Sequence, residues 1–107
     1  MLNNYKVVWS DKSKLDLDEI FEDYQPLSEA YAYDLVSRIL DRESQLSSFP
    51  FSGSIQFLPK LSEEQYRYLV EDNFKIIYHV LKAKGIVYID KIFDTRRDPA
   101  VLNRELS

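Results

Sequence analysis

The chain has 107 residues and a mass of 12.7 kDa, enough to bury one hydrophobic core but too few to give each half a core of its own. Hydrophobic residues make up 45% of the sequence and charged residues 30%, as in folded globular proteins rather than disordered ones. Residues 1–107 are therefore predicted to form a single domain.

Residue counts exclude several kinds of chemistry. The chain has no cysteine, which excludes disulfides, thiolate metal sites and a cysteine nucleophile and favours a cytoplasmic location. A single histidine excludes a metal centre built from several histidines, and no glycine-rich phosphate loop is present. No apolar run is long enough for a signal peptide or a membrane span. We therefore expect no metal, no cofactor and no membrane association.

The charge distribution limits the partners. The net charge is −4 and the pI is about 4.9, so strong nucleic-acid binding through net charge is not expected. Residues 1–50 carry a net charge of −5 and residues 51–107 carry +1. Any anion-binding surface is therefore expected in the C-terminal half.

The first half of the chain is predicted to form a strand and a helical hairpin. The run Tyr5–Trp9 is β-branched and aromatic, which indicates a strand. Ser13 and Asp16 have the spacing of a helix capping box, and apolar residues follow at helical intervals. Ser28 can cap a second helix, which ends before Pro50. The short connection between the helices makes them antiparallel.

The second half is predicted to form an antiparallel meander. Its three strand-like runs are Tyr66–Glu71, Phe74–Leu81 and Ile86–Phe93. Two-residue turns at Asp72-Asn73 and Lys84-Gly85 would join them. A brief extended piece over Ile55–Leu58 precedes the meander, and Asp98 before Pro99 starts a short C-terminal helical turn. The predicted class is α+β, ordered β-α-α-β-β-β, with the N-terminal helix hairpin packed on one face of a small, mainly antiparallel sheet.

Alternation of side chains along the strands predicts two faces. The face expected to lie beneath the helices carries Leu69, Ile76, Tyr78, Val80, Val87, Ile89 and Phe93. Arg67 and Lys91 are the only charges on it, and Arg67 is interpreted as a structural charge paired with an acidic group from a helix. The opposite face, expected to stay open, carries Tyr66, Tyr68, Val70, Lys75, Ile77, His79, Leu81, Tyr88, Asp90, Ile92 and Asp94.

Two groups of residues on the open face could carry chemistry. The predicted register places His79 opposite Asp90, and a carboxylate beside a histidine is typical of a general acid or base. The alternative is an exposed cross-strand pair without a role. Lys75, Arg96 and Arg97 could together bind an anion such as a phosphate. The alternative there is that neighbouring aspartates, Asp94 and Asp98, neutralise the two arginines.

An aromatic stripe on the same face predicts binding. It consists of Tyr66, Tyr68 and Tyr88. Exposed aromatic residues could stack on nucleic-acid bases or bind a protein. Because few Lys or Arg residues surround the stripe, protein binding is the favoured interpretation.

The order of the elements and several motifs together resemble the RelE/ParE superfamily, the toxins of bacterial type II toxin–antitoxin modules. The resemblance covers residues 5–102. The motifs are Tyr-Lys-Val-Val-Trp-Ser (5–10), Asp-Leu-Asp-Glu-Ile (16–20), Pro50 with Gly53, Arg67 before Asn-Phe-Lys-Ile-Ile-Tyr (73–78), and Asp-Thr-Arg-Arg-Asp-Pro (94–99).

The resemblance implies a cytoplasmic, growth-inhibiting toxin of a plasmid-stabilisation module that is neutralised by a cognate antitoxin. The C-terminal motif and Arg67 place the chain nearer the ParE-like branch, whose members poison DNA gyrase by binding it. The alternative is a RelE-like endoribonuclease that cuts mRNA on the ribosome. In that case Lys75, Arg96 and Arg97 would supply charge, and His79 and Asp90 would transfer protons.

Departures from the RelE-like pattern favour the ParE-like interpretation. Tyr66 and Tyr68 stand where RelE-like enzymes place lysines, and after Tyr88 the chain contains neither Tyr nor His. The tyrosine stripe, Lys75, Arg96 and Arg97 would then contact the target or the antitoxin. A second alternative is a decayed toxin that retains only antitoxin binding, since an acidic pI is unusual among these toxins.

Overall fold

The computed structural model describes residues 4–58 and 64–106. Within these ranges the chain forms three α-helices and a five-stranded mixed sheet. In chain order the elements are β1 (Lys6–Trp9), α1 (Asp11–Tyr24), α2 (Glu29–Ser48), β2 (Ser54–Ile55), β3 (Arg67–Glu71), β4 (Phe74–Leu81), β5 (Ile86–Asp94) and α3 (Pro99–Leu106). The predicted α+β class and the order of its elements are confirmed. The extended piece expected at Ile55–Leu58 lies at Ser54–Ile55 instead.

The strand order in the sheet is β1-β5-β4-β3-β2, with β1 parallel to β5 and the remaining pairs antiparallel. The first strand therefore lies beside the last one, and the helix hairpin that follows β1 covers one face of the sheet. The main core lies between the hairpin and that face. It contains Leu17, Ile20, Leu35, Ile39, Leu46, Leu69, Phe74, Ile76, Tyr78, Val87, Ile89 and Ile92.

The N-termini of α1 and α2 are capped by serines. Ser28 caps α2 as predicted, accepting a hydrogen bond from the Tyr31 amide at 3.2 Å. The prediction that Ser13 caps α1 is wrong, because Ser10 does so three residues earlier. Ser10 Oγ accepts a hydrogen bond from the Ser13 amide at 3.0 Å, and Ser13 itself is buried.

A β-bulge in β5 changes the predicted register. Near the turn His79 pairs with Tyr88, whereas beyond the bulge Ile77 pairs with Lys91, so that Asp90 is the extra residue. The prediction that His79 stands directly opposite Asp90 is therefore wrong. The connection from β4 to β5 also differs from the predicted two-residue turn, since a 3-10 turn at Lys82–Lys84 precedes Gly85, whose φ is 65°.

The bulge reverses the face assignment at the end of β5. Lys91 and Phe93 were predicted to lie beneath the helix hairpin, but they lie on the opposite face with Ile77. Ile92 was predicted to lie on the open face, but it packs in the main core. Asp94 likewise lies on the hairpin side, in a cavity lined by α1 residues. An extra residue in one strand shifts the alternation of every later side chain, which explains these errors.

The second face of the sheet is only partly open, because α3 packs on it. Tyr66, Ile77, Phe93 and Leu102 form a second, smaller core there. Ile77 is completely buried, and Tyr66 is 8% exposed. The predicted C-terminal helical turn is thus a full helix of eight residues that covers part of the surface expected to be free.

Candidate functional site

The bulge creates a cavity on the α3 side of the sheet. Because Asp90 is the extra residue, Asp90 and Lys91 both point to this side, beside Tyr88. The cavity has a volume of about 440 Å³ and is lined by Ser10, Asp11, Lys12, Tyr66, Tyr88, Asp90, Lys91, Glu105 and Leu106. It brings together two aromatic rings, the ammonium groups of two lysines and three carboxylates.

Backbone groups at the bulge form hydrogen bonds with Ser10, the residue before α1, and with Asp16 of α1. Ser10 Oγ donates to the Asp90 carbonyl at 2.7 Å. The Ile92 amide donates to Asp16 Oδ2 at 2.8 Å, and Lys12 Nζ donates to the other oxygen of Asp16 at 2.5 Å. Asp16, predicted as part of a capping box, instead fixes α1 to β5.

His79 and Asp90 meet although they are not paired in the sheet. The distance between His79 Nδ1 and Asp90 Oδ2 is 2.8 Å, and their side chains are 12% and 15% exposed. The imidazole lies between the rings of Tyr66 and Tyr88, with centroid distances of 5.6 and 5.4 Å. The hydrogen bond to Asp90 raises the pKa of His79, while burial raises the pKa of Asp90. Their role in proton transfer stays a prediction.

Lys91 is a site residue that sequence reasoning assigned to the wrong face. It is 2% exposed, forms an ion pair with Glu105 of α3, and lies over the Phe93 ring at 5.6 Å. Burial lowers the pKa of Lys91 to about 8. No sequence signal marked Lys91 or Glu105, since their contact depends on the bulge and on where α3 docks.

Lys75 lies on the face of the sheet predicted to be open, which is the α3 side, but its ammonium group contacts other residues of the chain. Its Nζ donates to Gln56 Oε1 at 3.1 Å and lies 4.2 Å from the centre of the Tyr68 ring. Lys75 lines a second, largely apolar cavity of about 410 Å³ between Phe57 and α3.

Arg96 and Arg97 line a different cavity from Lys75. Theirs is on the hairpin side, with acidic residues Asp16, Glu19, Asp23 and Asp94 in its walls. Arg96 contacts both oxygens of Asp94, at 2.7 Å for the closest pair, and this contact lowers the pKa of Asp94 to about 2. The three cations are therefore not gathered into one anion site. For Arg96 the structure matches the alternative interpretation, neutralisation by Asp94.

Arg67 holds the segment that precedes β2 against β3. Its Nη1 donates to the carbonyl oxygens of Gly53 at 3.0 Å and Phe51 at 3.3 Å, and its guanidinium lies 5.4 Å from the centre of the Phe51 ring. The predicted pairing with an acidic helix residue is wrong, because these carbonyls are its partners. Beside it, the Gly53 amide donates to the Tyr78 hydroxyl at 2.9 Å.

The tyrosine stripe is only partly accessible. The Tyr66 hydroxyl donates to the Leu106 carbonyl at 3.3 Å, which attaches the end of α3 to the sheet. Tyr68 and Tyr88 are half-buried, so part of each ring is still exposed to solvent.

Among residues 4–58 and 64–106 there is no group of three or more His, Cys, Asp or Glu placed to hold a metal ion. No helix in the same ranges is long and apolar enough to span a membrane.

Comparison with known proteins identifies the fold. Residues 7–99 match the family model described as ParE toxin of type II toxin-antitoxin system, parDE. The structure is similar to a chain of the chromosomal ParDE system from P. aeruginosa, with a TM-score of 0.68 and 23% identity over 86% of this chain and 97% of that one. It is also similar to a chain of the toxin–antitoxin complex RelBE2 from Mycobacterium tuberculosis, with a TM-score of 0.65 and 12% identity over 88% and 94%. A search of curated proteins gave no match.

These findings define a toxin of the RelE/ParE superfamily, as the sequence motifs predicted. Because the family match extends over most of its length, the chain belongs to the ParE toxin family of type II toxin–antitoxin systems.

Proposed function

We propose that this ParE-like toxin acts in the cytoplasm by binding a macromolecular target, DNA gyrase, rather than by cleaving RNA. The observation that carries the proposal is the separation of the cations. Lys75 contacts Gln56 and Tyr68 on one side of the sheet, and Arg96 contacts Asp94 on the other. A nuclease needs positive groups converging on one phosphate. A protein-binding surface needs partly exposed aromatic rings, which Tyr68 and Tyr88 offer.

Inhibition of DNA supercoiling by purified gyrase tests the proposal. The wild-type protein should inhibit supercoiling, and Tyr68→Ser and Tyr88→Ser should raise the inhibitory concentration about 10- to 30-fold, as expected for central aromatic contacts. Tyr33→Ser is the matched control, because Tyr33 is an exposed tyrosine on the helix hairpin. Full supercoiling in the presence of the wild-type protein would refute gyrase as the target.

A cognate antitoxin is the second partner in the proposal. Support comes from the two similar structures, both of which belong to toxin–antitoxin systems. A short neighbouring gene that encodes a DNA-binding segment and an amphipathic tail would be the candidate. Co-expression should restore growth and give a complex that purifies as one species, and failure of both would contradict this part of the proposal.

The RelE-like alternative has one observation in its favour, the partly buried hydrogen bond between His79 and Asp90. This pair could transfer protons during RNA cleavage. Toe-printing on translating ribosomes would reveal new mRNA ends if the chain were a nuclease. Those ends should disappear in the Lys75→Ala, His79→Ala double variant, and their persistence would refute the roles assigned to these residues.

The second alternative, a decayed toxin that keeps only antitoxin binding, is favoured by the net charge of −4. Expression without an antitoxin separates it from both active forms. Normal growth, with the folded protein present at normal levels, would support the decayed form and contradict the gyrase proposal.

A further inference from the structure

Lys91 is a buried cation whose partner comes from the last helix. The residue is 2% exposed, and in the described part of the chain its only ion pair is with Glu105. A buried ammonium group without an anion is strongly unfavourable. Burial lowers the pKa of Lys91 only to about 8, so the group stays mainly protonated at neutral pH. The charge of Asp16 also favours the protonated form, and Glu105 supplies the negative group in direct contact with Lys91.

Glu105 lies in the last turn of a C-terminal helix that packs on the sheet through few buried residues. Within α3 only Leu102 is buried, and the Glu105 side chain is 31% exposed. The last turn is held to the sheet by the Tyr66 hydroxyl, which donates to the Leu106 carbonyl at 3.3 Å. Short terminal helices with few buried contacts open locally at low free energy. Glu105 is therefore a replaceable occupant of the cavity.

The walls of the cavity select among anions. Lys12 also lines the cavity, but its ammonium group is already paired with Asp16. Tyr66 and Tyr88 supply aromatic walls. Asp11 and Asp90 also line the cavity, and their charges oppose a doubly charged phosphate more strongly than a singly charged carboxylate. The side chain of Glu105 ends in a carboxylate and is paired with Lys91, so the cavity has room for a carboxylate beside the ammonium group.

We propose that this cavity is an acceptor site for the carboxylate of an Asp or Glu side chain of a partner protein, and that Glu105 fills it in the free chain. The proposal rests on the proposed function only in taking the partner to be a protein. A partner carboxylate replaces Glu105 beside Lys91, and α3 moves away from the cavity. A side chain next to this acidic residue in the partner packs against Tyr66 or Tyr88.

Titration with acetate, followed by NMR, tests the site without a partner. Acetate supplies the carboxylate alone, and sodium chloride holds the ionic strength constant. Signals of His79, Tyr66 and Tyr88 report occupancy. Glu105→Gln removes the internal competitor, so it should bind acetate roughly tenfold more tightly than the wild type does, because a tethered group competes at millimolar or higher effective concentration.

Three controls make the result specific. Glu29→Gln has the same charge change on the distant helix α2 and should behave like the wild type. Adding Lys91→Met to Glu105→Gln should abolish acetate binding. Inorganic phosphate should bind Glu105→Gln more weakly than acetate.

Equal acetate affinity in Glu105→Gln and wild type, binding that survives Lys91→Met, or tighter binding of phosphate would each overturn the proposal. None of these outcomes depends on gyrase. A toxin that leaves supercoiling unchanged could still bind acetate, and a gyrase inhibitor could fail to bind it, so the two proposals fail separately.

Discussion

At the scale of single residues, His79 is the most informative probe of the site. It is the only histidine in the chain, so its ring gives one set of NMR signals. Its contact with Asp90 was predicted from sequence, but the contact is reached through the bulge rather than by direct pairing. The measurable consequence is the protonation equilibrium of the imidazole.

We expect the pKa of His79 to lie above its usual 6.5 and to fall in Asp90→Asn, because the carboxylate stabilises the imidazolium. A raised pKa means that the folded state binds the proton more tightly than the unfolded state. The corresponding stability is complete below about pH 6.5 and is lost as the pH rises through the raised value. NMR titration measures the pKa of His79, and urea unfolding at several pH values measures the loss of stability. If the NMR titration gave the same pKa for His79 in Asp90→Asn as in the wild type, the expectation would be contradicted.

Gly53 is the second residue whose identity the structure explains. A Cβ atom at this position would lie 2.5 Å from the Tyr78 hydroxyl and 2.8 Å from the Tyr68 carbonyl oxygen. We expect Gly53→Ala to lower the free energy of unfolding by about 3 kcal/mol, the upper end of the range for overpacking, because both neighbours are held in the sheet. Urea unfolding followed by circular dichroism measures the loss.

Gly85→Ala is the control for this substitution. A Cβ atom there meets nothing within 4 Å, although the positive φ of 65° disfavours alanine. Gly85→Ala should lower the free energy of unfolding by about 1 kcal/mol, because alanine is disfavoured in this left-handed backbone conformation. In the Gly53→Ala background, Tyr78→Phe should recover part of the loss by removing the hydroxyl. A cost for Gly53→Ala no greater than that for Gly85→Ala would contradict the close packing.

At the scale of elements, the junction between α1 and β5 explains how the bulge is maintained. β1 pairs with β5 only as far as Trp9 with Ile89. Beyond that point, side chains replace the missing strand, since Ser10 donates to the Asp90 carbonyl and Asp16 accepts from the Ile92 amide. The positions of Asp90 and Lys91 in the cavity thus depend on α1.

We expect Asp16→Ala to lower the free energy of unfolding by about 1–3 kcal/mol, because it leaves the buried Ile92 amide without an acceptor. Asp16→Asn should cost less, since its side-chain oxygen can still accept. Asp18→Ala, an exposed aspartate two residues along the same helix, is the control. Urea unfolding measures the energies, and hydrogen exchange of the Ile92 amide reports the local effect. Equal losses in Asp16→Ala and Asp18→Ala would contradict this role.

At the scale of the whole molecule, the sheet separates two cores of unequal size. The hairpin fills the larger one, and α3 closes the smaller one with Leu102. Leu102 is 3% exposed, and it contributes the buried contact through which α3 covers Tyr66, Ile77 and Phe93. The docking of α3 therefore controls how much of the proposed binding surface is accessible.

Leu102→Ala should lower the free energy of unfolding by about 2 kcal/mol, the low end for a buried leucine, because a terminal helix can adjust to the cavity. Val101→Ala in the same helix, at a half-buried position, should cost less. Denaturant unfolding followed by circular dichroism measures both. NMR signals of Tyr66 and Phe93 should shift in Leu102→Ala while those of the single tryptophan, Trp9, stay in place. Unchanged Phe93 signals would contradict the docking of α3 on this face.

Local patterns in the sequence were sufficient for the elements and for the family. Helical spacing of apolar residues, the cap at Ser28, the turn at Asp72-Asn73 and the alternation along β3 and β4 act over a few residues, so each could be predicted from the sequence alone. They gave the α+β class, the hairpin over one face, and the placement of Lys75 and His79 on the other.

The site was decided by contacts between distant segments. The bulge at Asp90 is stabilised by Ser10 and Asp16, some 80 and 76 residues away in sequence, and it moved Lys91 and Phe93 to the opposite face. The pairing of Lys91 with Glu105 required α3 to dock on the sheet. A register shift of one residue exchanges the two faces of a strand, and no local pattern records it. The sequence alone therefore determined which elements form, while tertiary packing determined which of their side chains meet.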